Sequence, residues 1–254
     1  MNKRAILNIC TAVLLLAGPV SSALAEMSDA ERQQFQKMQQ DIEMLKKQVQ
    51  VLGREKRMQP SSPPVIEIAP KPSSISLGTI QPLGNPDAKI ALIEFADYQC
   101  PYCERFQTQS FGALKSRFID NGKVMYVFRD LPAPNRPQAL PAAIAARCAG
   151  EQGKYYEMQS LLFSYGKSLK EDSYTRFAKK LGLDETKFST CLMDNNQVER
   201  IRQDTVDAQH LGIRGTPTFY IGTVKDNKVV DPKQIVGALP YSYFKQALEN
   251  ALKN

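Results

Sequence analysis

Cys100-Pro101-Tyr102-Cys103 is where the spacing of reactive side chains in this chain dictates a chemistry. Two sulfurs held two residues apart can close into a bridge, share a metal ion, or exchange with the disulfide of another molecule. A zinc site needs two further ligands. The chain has one histidine, His210, and no second C-x-x-C, so Cys148 and Cys191 are the remaining thiols able to supply them. Spacing alone therefore leaves metal binding, a structural bridge and redox exchange open for Cys100 and Cys103.

The elements around the pair narrow the choice. Lys89–Ala96 is a nearly continuous apolar run, the pattern of a central buried strand. A helix is predicted directly after it, from Pro101 to about Phe118. With Cys100 at the helix N-cap, Pro101 falls on the first helical position, where a missing N–H costs nothing. The unpaired N–H groups of the first turn and the helix dipole then point at the Cys100 sulfur. Both favour the thiolate, so the Cys100 pKa is expected below the free value of about 8.5. The thiolate is the attacking species in disulfide exchange. Cys103, one turn on and facing inward, is placed to attack a mixed disulfide at Cys100 and release its product.

A second stretch, Gly215-Thr216-Pro217-Thr218-Phe219, runs a loop into a strand. Proline is barred from central ladders, so Pro217 has to enter at the strand's beginning. A cis Thr216–Pro217 bond would make a tight corner there and free the Thr216 backbone for a substrate peptide, although local sequence does not select cis over trans.

Lys123–Arg129, Thr218–Gly222 and Lys228–Val230 read as further strands and Tyr241–Leu252 as a closing helix. Residues from Asn135 to about Leu211 read as largely helical, punctuated by Gly153, Gly166 and Gly182. The order predicts an α/β sandwich with an inserted helical subdomain at about 135–211.

Upstream, Lys3 and Arg4, the apolar run Ala5–Ala17 and Ala23-Leu24-Ala25 match a secretory signal peptide over residues 1–25, cleaved before Glu26. The run is too short for a membrane span. Cleavage lowers the net charge from +7 to +5 by removing Lys3 and Arg4, and it removes Cys10. The remaining excess reads as solvated surface, and no basic–aromatic stripe or nucleic-acid motif accompanies it. Cys100, Cys103, Cys148 and Cys191 are left in an oxidising compartment, with Cys100–Cys103 and Cys148–Cys191 as the simplest pairing.

Residues 26–58 form a predicted helical segment. Ser28-Asp29-Ala30-Glu31 fits a capping box. Phe35, Met38, Ile42, Leu45, Val49 and Leu52 follow at heptad spacing, the seam of a parallel two-stranded coiled coil, so a homodimer through about 28–52 is expected. Pro60, Pro63, Pro64, Pro70 and Pro72 make residues 59–73 an extended linker. The folded domain is expected over 74–254.

Glu94, six residues before Cys100, the strand-borne Cys-Pro-Tyr-Cys and the later Gly-Thr-Pro-Thr-Phe together resemble the thioredoxin-fold disulfide-bond (Dsb) proteins, over about Ser74–Leu252. The DsbA-like group, with a helical domain inserted in a thioredoxin-like fold, is the nearest match. The resemblance implies a thiol–disulfide oxidoreductase. Cys100 would be its exposed nucleophile, Cys103 its resolving thiol, and Pro217 a cis proline with Thr216 beside the pair. Glu94 would be a buried acid that helps move the Cys103 proton. No cofactor or metal is implied. Expected partners are exported proteins with cysteines and a membrane protein that reoxidises or reduces the pair, in a periplasm, with outer-membrane association left open. Some DsbA-like proteins carry a second disulfide. Here Cys148–Cys191 would close a loop of about 44 residues, contributing roughly 4 kcal/mol by chain entropy.

Three features depart from the oxidase pattern and lean toward an isomerase or a mixed role: Tyr102 where oxidases carry His, Thr216 before the proline, and the predicted dimer. The seam and linker also motivate an alternative, a dimeric chaperone or surface-binding protein with a minor redox role.

Overall fold

The computed structural model describes residues 72–253 and scattered positions from 33 to 46. The latter belong to a separate unit and are helical and exposed wherever described. Ile42 is the one seam residue among them. Phe35, Met38, Leu45, Val49 and Leu52, the capping box, the signal peptide and nearly all of the linker lie outside the described residues.

Residues 74–251 fold around a five-stranded mixed sheet. In chain order the elements are β1 (Ser74–Ser76), β2 (Ile90–Ala96), the helical run α1 (101–119), β3 (Val124–Asp130), α2 (Ala139–Gly150), α3 (Tyr155–Tyr165), α4 (Ser173–Lys180), α5 (Glu185–Leu192), α6 (Asn195–His210), β4 (Thr218–Lys225), β5 (Lys228–Val236) and α7 (Tyr241–Ala251). The strand order is β1-β5-β4-β2-β3, with β2 parallel to β3 and antiparallel to β4. This is the α/β architecture the sequence predicts, with five helices between β3 and β4.

β2 and β3 are buried at every residue because both sheet faces are covered. Side chains alternate between faces. Leu92, Tyr126, Phe128 and Phe219 pack with Phe106 and Phe118 of α1, Phe163 of α3 and Phe244 of α7. Ala91, Ile93, Phe95, Val127 and Tyr220 form the opposite core with Ala208 of α6. In α2, Ala142, Ala143, Ala145 and Ala146 are all buried, so this helix is enclosed on most sides and its small residues admit close neighbours.

β5 differs from expectation. Asp231-Pro232 does not end the strand at Val230, because the two residues sit at a bulge where the register shifts between Ile221 and Thr223. Asp231 takes φ 46° there, and bulges are where a sheet tolerates proline. The facing Gly222 leaves room: a Cβ on it would lie 2.7 Å from the Val230 oxygen. β1, a three-residue edge strand on β5, was not expected from the sequence.

Cys148 of α2 and Cys191 of α5 form a disulfide with Cα atoms 5.6 Å apart. A buried ionic web fastens the helices to the sheet. Arg129 Nε donates to Asp204 Oδ1 at 2.6 Å, Arg147 Nη2 to Asp204 Oδ2 at 2.6 Å, and Arg147 Nε to Asp130 Oδ2 at 2.6 Å. Arg129 also donates to the Ser76 carbonyl at 2.8 Å and pairs with Asp207. Asp204 thus joins β3, α2 and α6. Removing one partner of a buried pair leaves uncompensated charge. Asp204→Ala is therefore expected to destabilise the fold by about 3–5 kcal/mol, measured by denaturant unfolding. A loss under about 1 kcal/mol would show that the web contributes little to stability.

Candidate active site

The β2–α1 corner places the cysteine pair. Asp97 follows the last residue of β2 and organises the turn: its carbonyl accepts from Cys100 N at 3.0 Å, and its carboxylate accepts from Gln99 N at 2.7 Å. The same carboxylate accepts from Ala133 N and Arg136 Nη1, each at 2.8 Å, which docks the loop after β3 against the corner. The Arg136 guanidinium also faces the Cys100 sulfur.

Cys100 is the N-cap of α1, with φ −78° and ψ 121°, and Pro101 occupies the first turn. The Glu104 N–H donates to the Cys100 carbonyl at 3.0 Å, the first hydrogen bond of the helix. Cys100 and Cys103 are free thiols. The expectation of an exposed nucleophile needs correction, since Cys100 is only 2% exposed. Its thiol donates to the Thr216 carbonyl at 3.3 Å, so the loop before β4 closes over the sulfur. The Thr216–Pro217 bond is cis, Pro217 immediately precedes β4, and its carbonyl accepts from Gly237 N at 2.8 Å. Tyr102 projects outward, 56% exposed, with the Arg105 guanidinium 5.0 Å from its ring centre.

The two thiols differ sharply. The Cys103 thiol donating to the Cys100 sulfur is the largest influence that brings the Cys100 pKa down from about 9 to about 5. Burial opposes it, while the Thr216 side chain and the backbone N–H groups of Cys103 and Tyr102 assist. Cys103 lies in the core, and burial first, then its bond to Cys100 and the nearby Glu94, holds its pKa well above the ordinary value. One thiol is made acidic and the other retains its proton.

Glu94 of β2 is fully buried on the sheet face that packs against α1. Burial raises its pKa to about 8, against opposing hydrogen bonds from Tyr126 and Gln107. The structure thus brings Cys100, Cys103, Thr216, Pro217 and Glu94 into one corner. It leaves Cys148 and Cys191 in the helical insertion. Asp97, Arg136, Tyr126 and Gln107 went unnoticed in the sequence. Asp97 and Arg136 lie in loops 39 residues apart, with no periodicity to join them. Gln107 carried one legible signal, standing four residues after Cys103 on the same helical face.

Among the described residues no group of His, Cys, Asp and Glu is arranged to hold a metal, and Cys148 and Cys191 are taken by each other. What the corner can do is thiol chemistry. The folded pKa of Cys100 lies below its unfolded value, so its ionisation stabilises the reduced fold fully above about pH 9. That contribution is lost as pH falls through about 5. Thiolate absorbance of the reduced protein should titrate with a midpoint near pH 5. In Cys103→Ala the midpoint should rise by about one pH unit or more as the donor is removed. An unmoved midpoint would assign the thiolate's stabilisation to another group.

The family model described as thioredoxin matches residues 77–240, well over half the chain. The crystal structure of alpha-DsbA1 from Wolbachia pipientis is 26% identical, with a TM-score of 0.62 over 70% of this chain and 94% of its own. A thioredoxin-like oxidoreductase from Silicibacter pomeroyi DSS-3 is 28% identical, with a TM-score of 0.56 over 69% and 93%. The Na(+)/H(+) antiporter NhaA 3 of Salinispora tropica is 37% identical over 139 residues, 54% of this chain. That stretch is 21% of the antiporter, so the chain spans about a fifth of this relative's length. The thioredoxin match, two unlike thiols at the head of a helix and these neighbours lead to one conclusion: the chain belongs to the thioredoxin family and is similar to DsbA-like proteins.

Proposed function

We propose that this protein is a DsbA-like thiol–disulfide oxidoreductase that works in the periplasm and exchanges disulfides with exported proteins, with Cys100 as nucleophile and Cys103 as resolving thiol. The observation that carries the reading is the unequal pair: an acidic Cys100 at the helix head and a proton-retaining Cys103 behind it. The Cys100 thiolate attacks a substrate disulfide. A Cys100–substrate bond forms, the substrate S–S bond breaks, and the departing sulfur leaves as a thiolate that takes a proton from solvent. Cys103 then gives its proton to Glu94 and attacks the Cys100 sulfur. The mixed disulfide breaks, the second substrate thiolate leaves, and Cys100–Cys103 is oxidised. Run backwards, the same steps oxidise a substrate dithiol.

Once Cys100 is ionised it has no proton to donate to the Thr216 carbonyl. That acceptor is then available to a substrate backbone N–H, with Pro217 alongside, which supports binding of an extended peptide segment. An acidic nucleophile favours the reduced enzyme and hence donation of its disulfide. Thr216 and the heptad seam favour shuffling. The protein acts as isomerase or oxidase according to whether a membrane redox partner keeps the pair reduced or oxidised.

The rest of the chain fits this reading: a signal peptide over 1–25, a dimerising helix over 26–58, a linker over 59–73 and the exchange domain over 74–254, with Cys148–Cys191 as a structural staple. Two measurements check it. In cells, Cys103→Ala should accumulate mixed disulfides through Cys100 with exported proteins. Repeated failure to trap any would favour a chaperone or binding role. In sedimentation, the processed chain should be a dimer and a chain beginning at Ser73 a monomer. A truncated dimer would remove the heptad seam as the cause.

A further inference from the structure

The two oxygens of Glu94 are treated differently. Tyr126 Oη donates to Oε2 at 2.6 Å, and Gln107 Nε2 donates to the same oxygen at 3.0 Å. Gln107 Nε2 also lies 3.1 Å from Tyr126 Oη, closing a triangle of polar atoms. Oε1 is equally buried and has no hydrogen-bond partner.

Three elements build this triangle. β2 and β3 pair in parallel with Leu92 opposite Tyr126, so Glu94 and Tyr126 are diagonal neighbours on one sheet face. Gln107 stands four residues after Cys103 and therefore on the same side of α1. It also opens a π-helical turn, Gln107–Phe111. Such turns recur at functional sites in helices.

The hydrogen-bond inventory fixes the roles. Tyr126 has one proton and gives it to Oε2. Gln107 Nε2 is a donor only, so Tyr126 Oη accepts from it. An oxygen already receiving two hydrogen bonds is a poor place for a further proton, whereas Oε1 is unoccupied. Both donors also favour the carboxylate, which burial alone would suppress.

We propose that Tyr126 and Gln107 are positioning residues of the exchange reaction, saturating Oε2 so that the proton Glu94 takes from Cys103 is carried on Oε1. The proposal rests on the reading of Glu94 as the acceptor of that proton. In the step, the Cys103 S–H bond breaks and an O–H bond forms at Oε1. The Cys103 sulfur then attacks Cys100 and displaces the substrate thiolate. Without the two donors the carboxylate stays protonated to higher pH and cannot accept.

The test uses the full chain, loaded as a mixed disulfide between Cys100 and a fluorescent cysteine peptide, with peptide release by Cys103 followed against pH. Tyr126→Phe and Gln107→Met should each move the midpoint of the release profile up by about one pH unit. Release below the midpoint should slow about tenfold while the high-pH plateau is kept. Glu94→Gln should lose the inflection. If Glu94→Gln loses it but the two variants follow the wild-type profile, Glu94 works without them and the proposal is overturned. If Glu94→Gln keeps the wild-type profile, the acceptor reading falls and the proposal with it. Gln107 is only partly buried, so Gln107→Met decides the matter should Tyr126→Phe fold poorly.

Discussion

The placement of the Cys103 thiol beside the Cys100 sulfur makes two chemically identical side chains unequal. It lowers the proton affinity of one sulfur and, by the same contact, raises that of the other. Its geometry depends on a strand ending at Ala96 and a helix beginning at Pro101, so that Cys100 caps the helix and Cys103 falls on its inner face. The carboxylate of Asp97 holds that corner by accepting from the backbone on both sides of it.

Around the corner the structure places groups in layers of decreasing access to solvent. Tyr102 lies outermost, Cys100 sits under the Thr216 carbonyl, Cys103 is in the core, and Glu94 is fully buried among aromatic side chains. Proton affinity is displaced accordingly, downward at Cys100 and upward at Cys103 and Glu94. Burial supplies the upward displacements, and hydrogen bonds aimed at sulfur supply the downward one. The insertion that walls the site is fixed by a separate device, the Arg129, Arg147, Asp130 and Asp204 web on β3, α2 and α6.

Much of this was legible in the sequence, wherever one stretch of chain decides the outcome. The apolar run before Cys100, the proline after it and the closing amphipathic helix are local signals, and the elements they predict form within a residue or two of the expected bounds. The Thr-Pro loop was readable as the entry to a strand, but its place beside the cysteines, like the role of the acid on β2, came from a resemblance that joined residues spacing could not. What stayed hidden depends on contacts between distant segments. Asp231-Pro232 reads as a strand end until Gly222 is known to face it across a bulge. Arg129 and Asp130 close an otherwise apolar strand, and only the return of α6 supplies the carboxylates that let the Arg129 charge be buried. Gln107 looks like surface polarity on a helix until Tyr126 arrives from β3.

The account depends on the inequality of the two sulfurs. The most direct measurement is site-resolved alkylation of the reduced protein across pH, with Cys100 and Cys103 quantified separately by peptide mass spectrometry. The structure predicts that Cys100 reaches half-maximal reactivity near pH 5 while Cys103 remains unmodified past pH 9. If both cysteines became reactive together near the ordinary thiol pKa of about 8.5, the mechanism built on this corner would be contradicted.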